Sequence, residues 1–323
     1  MNEMIGHEEV RKQWQSAMAG TRLHHAWLLT GSKGMGKATF ARSAAEELVA
    51  ELGAPIMPAE VHPDIMVLSR QPASADDEKL SAQGKQFATR RNINVEQVRA
   101  MQRRLVTRPT LGSRRVIIID SIDDLEKSAA NALLKSLEEP PSGTFFLLVS
   151  HRPGGLLPTI RSRCRVLRFP PLDRADLQQV LSGFDLDADP AMQQAALIAA
   201  GGAPGAARAF IDHDLASAHT ILARIAVDGD LDLAARGKLI KACGSRPDRE
   251  KLLALVGVAQ SICAEQMRSS QWSLQGAAIT AYHALGDLAA NIPYANFDGG
   301  LAVVEMGGLL AQLAAARKNH HAA

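Results

Sequence analysis

The sequence contains little cysteine, few aromatic residues and little net charge. Its three cysteines, Cys164, Cys243 and Cys263, lack the spacing of a metal site or a disulfide framework, which favours a reduced, cytoplasmic setting. Aromatic residues make up only 4% of the chain, and the abundance of alanine and leucine predicts a helix-rich protein. The net charge of +2 excludes a protein that binds polyanions with its whole surface.

Long apolar runs are missing as well. No uninterrupted apolar run approaches the roughly 20 residues that a membrane-spanning helix needs. Residues 1–10 are polar and acidic, unlike a secretory signal peptide. We therefore expect no membrane association.

Positive charge is concentrated in two stretches. Residues 85–115 hold nine Lys or Arg and one acid, Glu96, and residues 151–168 hold five Arg and no acid. Such stretches indicate either an acidic or phosphate-bearing partner or ordinary arginine-rich surface helices, and composition leaves both interpretations open.

A glycine-rich loop is the strongest local motif. Residues 31–39 read GSKGMGKAT, after the apolar run 26–29 and before a helical pattern predicted over 40–52. This strand–loop–helix order is typical of a phosphate-binding loop, in which Gly31, Gly34 and Gly36 expose backbone N–H groups and Lys37 reaches the outer phosphates. Position 38, where a Mg²⁺-binding hydroxyl is expected, is Ala38. Thr39 is one residue late and turned about 100° away.

Strands and helices alternate as far as residue 170. We predict helices over 8–18, 94–107 and 128–139, and strands over 65–68, 116–120, 144–150 and 166–169. The polar segment 71–84 is predicted to be a mobile loop. Continuous apolar strands favour a parallel sheet covered on both faces, and no strand pattern follows residue 171.

The sequence contains only some of the groups that ATP hydrolysis needs. Hydrolysis needs a phosphate cradle, a Mg²⁺ hydroxyl, a strand-end acid and a group that orients water. The loop and Asp120 supply two of these, but Ala38 and Ser121 occupy the positions of the others. Binding without hydrolysis and no binding at all both stay open, and in an empty loop Asp120 is the expected partner of Lys37.

An arginine-containing segment, residues 157–164, follows the last long strand. An arginine there could reach a neighbouring subunit's nucleotide and stabilise its γ-phosphate, an effect worth roughly 10³–10⁵ in rate where measured. The alternative is a surface arginine paired with an acid.

Several segments together resemble one family. The chain is similar to the clamp-loader subunits of bacterial DNA polymerase III, in the AAA+ superfamily, and most similar to the delta prime subunits. The segments that carry this resemblance are residues 25–29 with the loop, 62–64 (HPD), 93–99 (INVEQVR), 115–120 (RVIIID), 129–141 (AANALLKSLEEPP) and 162–164 (SRC).

The resemblance implies roles for particular residues. Arg163, flanked by Ser162 and Cys164, corresponds to the arginine finger that acts on an adjacent subunit's ATP. Ser150 falls at the sensor-1 position. Gly205 replaces the sensor-2 arginine of ATPase relatives. A four-cysteine zinc module found in many relatives is missing, since no cysteine precedes Cys164, and we expect no zinc.

The resemblance also implies an architecture and a function. We expect an AAA+ α/β domain over 1–170, a small helical lid over 171–211 and a helical collar over 212–323. The chain would be a non-hydrolysing stator that assembles with gamma/tau and delta subunits and helps load the sliding clamp onto primer–template DNA, with no cofactor required.

Helix 94–107 would carry Arg99, Arg103 and Arg104 towards the DNA, or towards solvent. The alternatives for the whole chain are a weakly hydrolysing motor subunit and a free-standing nucleotide-binding switch.

Overall fold

A computed structural model gives the structure of residues 4–20, 22–50, 57–85, 87–185, 188–244, 246–268, 272–292 and 298–321. The chain divides into two compact units, Met1–Leu172 and Asp173–Ala323. The first is built on a parallel sheet, and the second consists of helices in its described part.

Among the residues that the structure describes, five strands form the sheet of the first unit. They are β1 (Ala26–Thr30), β2 (Ile65–Leu68), β3 (Arg115–Asp120), β4 (Thr144–Ser150) and β5 (Arg165–Arg168). All neighbours pair in parallel, in the order β2-β3-β4-β1-β5. The central strands β1, β3 and β4 are almost wholly buried, which explains their continuous apolar sequences.

Strand register places the functional segments at one edge. Thr30 lies opposite Ser150, and Asp120 lies opposite Val149. Because parallel strands end at the same edge, the loop after β1 and the polar residues after β3 and β4 are brought together there.

In the described part of the first unit, six α-helices accompany the sheet: α1 (Glu8–Met18), α2 (Lys37–Val49), α3 (Ala75–Ala82), α4 (Val95–Leu105), α5 (Lys127–Glu138) and α6 (Pro158–Arg161). Helix α1 has the predicted bounds, and α4 begins with the capping box formed by Asn94 and Gln97. Helix α2 begins three residues before the predicted start, directly after the glycine loop. Its predicted end at residue 52 lies outside the described residues.

The prediction of a mobile loop over 71–84 was wrong. Helix α3 occupies the middle of this segment, and the Ser74 side chain caps it by accepting from the Asp77 N–H at 3.2 Å. Asp77 also accepts from the Ala88 N–H at 2.9 Å, and short backbone pairing links Ala73 to Ala88. Polar composition concealed a helix that is held by its cap rather than by an apolar face.

The second unit contains eight helices in its described part: α7 (Arg174–Ser182), α8 (Pro190–Ala199), α9 (Pro204–Asp212), α10 (Ala216–Asp228), α11 (Ala234–Cys243), α12 (Arg249–Gln266), α13 (Trp272–Asn291) and α14 (Gly299–His321). Helix α12 packs against α8 and α9 as well as against α10, α13 and α14. The division into a lid ending at 211 and a collar from 212 therefore stays a prediction. The parallel-sheet unit followed by helices confirms the predicted order of an α/β domain and then a helical region.

Helix α14 contains a long apolar stretch. Its stretch Gly299–Arg317 is long and apolar enough to cross a membrane by length and composition, although Glu305 interrupts it. In the structure α14 packs against α10, α11, α12 and α13, and its buried residues include Val303, Met306 and Leu310. These contacts are those of a bundle's core helix.

Candidate functional site

The glycine loop between β1 and α2 has the backbone shape that the motif predicts. Gly31, Gly34 and Gly36 have φ angles of 148°, 82° and 83°, in the region that favours glycine. A Cβ on Gly31 would lie 2.6 Å from the Phe169 carbonyl oxygen, just beyond β5. The loop is therefore fitted closely to the end of the neighbouring strand.

Lys37 is turned into its own loop. It is only 2% exposed, and its Nζ donates to the carbonyl oxygens of Gly31 at 2.7 Å and Ser32 at 2.6 Å. Burial lowers the pKa of Lys37 to about 8, against the opposing fields of Asp123 and Asp120.

Asp120 is not the contact partner that the sequence predicted for Lys37. Among the described residues no recorded ion pair joins the two, and the charge of Asp120 acts to raise the pKa of Lys37. The loop's own carbonyls are nearer and meet the ammonium directly, so they take the place of the carboxylate. Thr39 is exposed, as its helical position predicts.

Asp123 is the central carboxylate of this edge, and sequence reasoning missed it. It lies in the short turn Ile122–Asp124, where it accepts from the Ser150 hydroxyl at 2.9 Å and from the backbone N–H groups of His151 at 2.5 Å and Arg152 at 3.3 Å. Asp123 thus fastens the segment after β3 to the end of β4. The only signal in the sequence was its position a few residues after an apolar strand.

Asp124 has a different role. It forms an ion pair with Arg70 at 3.4 Å, while burial raises the pKa of its carboxyl. It is therefore engaged with a partner outside the glycine loop.

His151 is a second residue that sequence reasoning missed. Burial and the nearby positive charge of Lys37 lower the pKa of His151 to about 4, so the imidazole is neutral at pH 7. The Nδ1 atom is buried and has no hydrogen-bond partner in the described part of the chain.

The loop can accept an anion but lacks an evident metal site. Its glycines and Lys37 provide donors for phosphate oxygens. Within the described ranges no group of three or more His, Cys, Asp or Glu could hold a metal ion.

Arg163 lies apart from the loop, just after the short helix α6. Its Nη2 contacts Glu138 Oε1 at 2.5 Å, and its Nη1 donates to the Thr159 carbonyl at 2.8 Å and to Ser162 Oγ at 3.4 Å. The Arg163 side chain is 33% exposed. No recorded hydrogen bond or ion pair of the described residues connects it to the loop, so the structure does not unite the two predicted sites.

Cys164, next to Arg163, packs against the core. Burial raises the pKa of its thiol to about 12, so it is protonated and unreactive. Its role here is to anchor the backbone beside Arg163.

The three arginines predicted to face DNA lie exposed on α4, but their surroundings differ. Arg99 forms an ion pair with Glu96 at 2.9 Å, and Arg104 donates to the Pro63 carbonyl at 3.0 Å. Arg103 has no recorded partner among the described residues.

The His-Pro-Asp segment fixes the C-terminal end of α4. Asp64 is fully buried and accepts from the N–H groups of Thr110 and Leu111, at 2.6 Å and 2.8 Å. Buried Arg115 lies 3.8 Å from Asp64 and donates to backbone carbonyls at the end of α4 and just beyond it, those of Arg104, Thr107 and Arg108. This motif therefore holds the helix in place.

The predicted sensor-2 position lies in the second unit. Gly205 is in the first turn of α9, and Arg208, one turn later, forms an ion pair with Asp212 at 3.4 Å. Arg208 also lies over the Phe184 ring at 5.6 Å.

Comparisons with known proteins agree on one family. Residues 6–173, just over half of the chain, match the model of the family described as DNA polymerase III, delta subunit. The chain is 36% identical over 167 residues to DNA polymerase III subunit delta' of Pseudomonas aeruginosa, covering 47% of this chain and 46% of that one. It is 29% identical over 268 residues to the tau subunit of Escherichia coli K12, covering 80% of this chain and 40% of that one.

The chain thus spans about half or less of the length of these relatives. Among solved structures it is similar to a DNA polymerase III gamma subunit-related protein of Thermotoga maritima. In that comparison the identity is 15%, the TM-score is 0.47, and 94% of this chain and 98% of that one are covered.

Proposed function

The chain belongs to the family described as DNA polymerase III, delta subunit, and from this premise we propose that it is a delta prime-type stator of a replicative clamp loader. It assembles with gamma/tau ATPase subunits and a delta subunit in the cytoplasm. It helps that assembly place the sliding clamp on primer–template DNA. Its chemical contribution is Arg163, offered to the ATP bound by an adjacent subunit.

The placement of Arg163 is the observation that carries this proposal. The guanidinium is partly exposed and fixed by contacts from α5 and α6, away from the chain's own phosphate loop. A preorganised cation at a surface can stabilise the charge that develops on a γ-phosphate bound by a neighbour.

The chain's own loop supports the non-hydrolysing part of the proposal. Lys37 is occupied by carbonyl groups of the loop, and Ala38 and Ser121 provide neither the metal hydroxyl nor the water-orienting carboxylate. We propose that the loop is a retained scaffold, that the function requires no nucleotide in it and no zinc, and that this chain does not hydrolyse ATP by itself.

Helix α4 is the part of the chain that we assign to DNA. Its exposed arginines would contact phosphates, and such contacts are independent of base sequence and weaken with salt. Arg103 is the arginine of the three that has no recorded partner among the described residues, and it is the one most available for a phosphate.

The test of the proposal is Arg163→Ala in the assembled loader. All ATP sites except the one beside Arg163 would be inactivated by substituting their phosphate-loop lysines. DNA-stimulated turnover at the remaining site should fall by roughly 10³-fold or more, because the γ-phosphate loses its cation. Arg163→Lys should restore little, since lysine lacks the planar fork of donors.

Arg161→Ala is the matched control. Arg161 is the last residue of the short helix α6 that precedes Arg163, and it is exposed, so its removal should leave turnover unchanged. Unchanged turnover in an intact complex that carries Arg163→Ala would contradict the proposal. So would rapid ATP hydrolysis by the isolated chain, which would favour a motor subunit.

A further inference from the structure

We infer that Glu138 is a positioning residue for Arg163, a role that rests on the proposed function of Arg163 as an arginine finger. The carboxylate fixes the guanidinium in the orientation in which it meets a neighbouring subunit's phosphate. The contacts around the pair, its exposure and the anchoring of both backbones support this inference.

The backbone at both Glu138 and Arg163 is anchored by the hydrophobic core. Glu138 is the last residue of α5, next to buried Leu137, whose carbonyl accepts from His25 Nε2 at 2.9 Å. Arg163 follows buried Ile160, which lies in the same core cluster as Leu137. The two Cα atoms are therefore held by the core, and the side chains that join them bridge two rigid elements.

The guanidinium is held by three acceptors. Glu138 Oε1 engages Nη2, whereas the Thr159 carbonyl and Ser162 Oγ both engage Nη1. A guanidinium has five N–H donors, so the Nε donor and one Nη2 donor have no acceptor among these three contacts. Two free donors on a fixed plane match the oxygens of a phosphate.

The pair is too exposed to be a major source of stability. The side chains of Arg163 and Glu138 are 33% and 47% exposed, and pairs of this kind contribute little to the free energy of unfolding. The loss of Glu138 would instead release the long arginine side chain to sample other rotamers. Catalytic groups that are not held in place act less efficiently.

The experiment uses the assembled loader with a single active ATP site beside Arg163. Glu138→Ala should lower kcat for DNA-stimulated turnover by about 5-fold, with little change in KM, because the neighbour's ground-state nucleotide binding is untouched. Glu138→Gln keeps an acceptor oxygen and should recover part of the loss. Glu139→Ala is the matched control, since Glu139 is the exposed neighbour and its side chain has no recorded contact with the described residues.

The double variant Glu138→Ala/Arg163→Ala separates positioning from other effects. If Glu138 acts through Arg163, the double variant should have the turnover of Arg163→Ala alone. Unchanged or raised kcat in Glu138→Ala, an equal loss in Glu139→Ala, or additive losses in the double variant would each overturn the inference. If Arg163→Ala itself has no effect, the proposed function fails instead, so the two failures are distinguishable.

Discussion

Lys37 and Arg163 are two cations in motifs that both suit phosphate, yet the structure treats them in opposite ways. Lys37 is 2% exposed and bonded to carbonyls of its own loop, and burial lowers its pKa to about 8. Arg163 is partly exposed and held by a carboxylate from another helix. The first arrangement satisfies a cation inside the fold, and the second presents a cation at the surface.

This difference shows that a motif suited to phosphate can serve the stability of the fold, as the glycine loop does, or present a group for chemistry, as we propose for the Arg163 edge. The loop's shape is fixed by its close approach to Phe169 and by the buried lysine, so it is part of the unit's structure whether or not a ligand enters. The Arg163 side chain is held by one exposed ion pair with Glu138 and by hydrogen bonds to Thr159 and Ser162. Substitutions in the loop should therefore affect folding, and substitutions at the Arg163 edge should affect turnover in the assembly.

Gly31→Ala should have the largest effect on stability. The new Cβ would lie 2.6 Å from the Phe169 carbonyl oxygen, at a φ of 148°, so the strand end or the loop must move. We expect a loss of about 3 kcal/mol in the free energy of unfolding, measured by urea denaturation.

Gly155→Ala is the control variant, taken from the segment of the chain that leads to Arg163. Beyond Gly155 and its two chain neighbours, no heavy atom of the described residues lies within 4 Å of the added Cβ, so stability should stay within about 0.5 kcal/mol of the wild type. Equal losses of unfolding free energy in Gly31→Ala and Gly155→Ala would contradict the view that the loop, unlike the exposed Arg163 edge, is needed for stability.

The sequence predicted the elements whose signals are local. The apolar run 144–150 became β4 with unchanged bounds, and the Asn94–Gln97 capping box begins α4. The continuous apolar strands, a pattern typical of strands buried on both faces, correctly predicted the parallel sheet. These features depend on periodicity and on neighbours a few residues apart.

The contacts within the site depended on the fold itself. Asp123 gains its role only because β3 and β4 are adjacent, which brings Ser150 and the His151 N–H to its carboxylate. Glu138 and Arg163 are joined across two helices, and no local pattern links them. The partners of Lys37 are backbone carbonyls, which every residue possesses and which sequence therefore cannot distinguish.

Stability of the loop should depend on pH through Lys37. Its pKa in the folded state, about 8, lies below the ordinary value of 10.5, so the unfolded chain binds more protons between these values. The free energy of unfolding should therefore rise with pH across this window, relative to that of Lys37→Met. We expect the difference between the two proteins to change by on the order of 2 kcal/mol between pH 7.5 and 10.

Lys33→Met is the control for this measurement, because Lys33 is an exposed lysine of the same loop. The expectation would be contradicted if the difference in free energy of unfolding between the wild type and Lys37→Met did not change with pH, or if the difference for Lys33→Met changed equally steeply. Either result would show that Lys37 is not a desolvated cation in the folded protein.

Arg103→Gln should have the smallest effect, and it extends the comparison to a third cation. Arg99 is paired with Glu96 and Arg104 donates to Pro63, so Arg103 is the arginine of α4 that most resembles Arg163 in being presented outward. If it contacts a DNA phosphate, the slope of log affinity against log salt for the assembled loader should become shallower by about 1. Arg174→Gln, an exposed arginine at the start of α7, should leave the slope unchanged. If Arg103→Gln leaves the slope of log affinity against log salt unaltered, α4 faces solvent or a protein partner. Of the two outward-facing arginines, Arg163 alone would then have a proposed function.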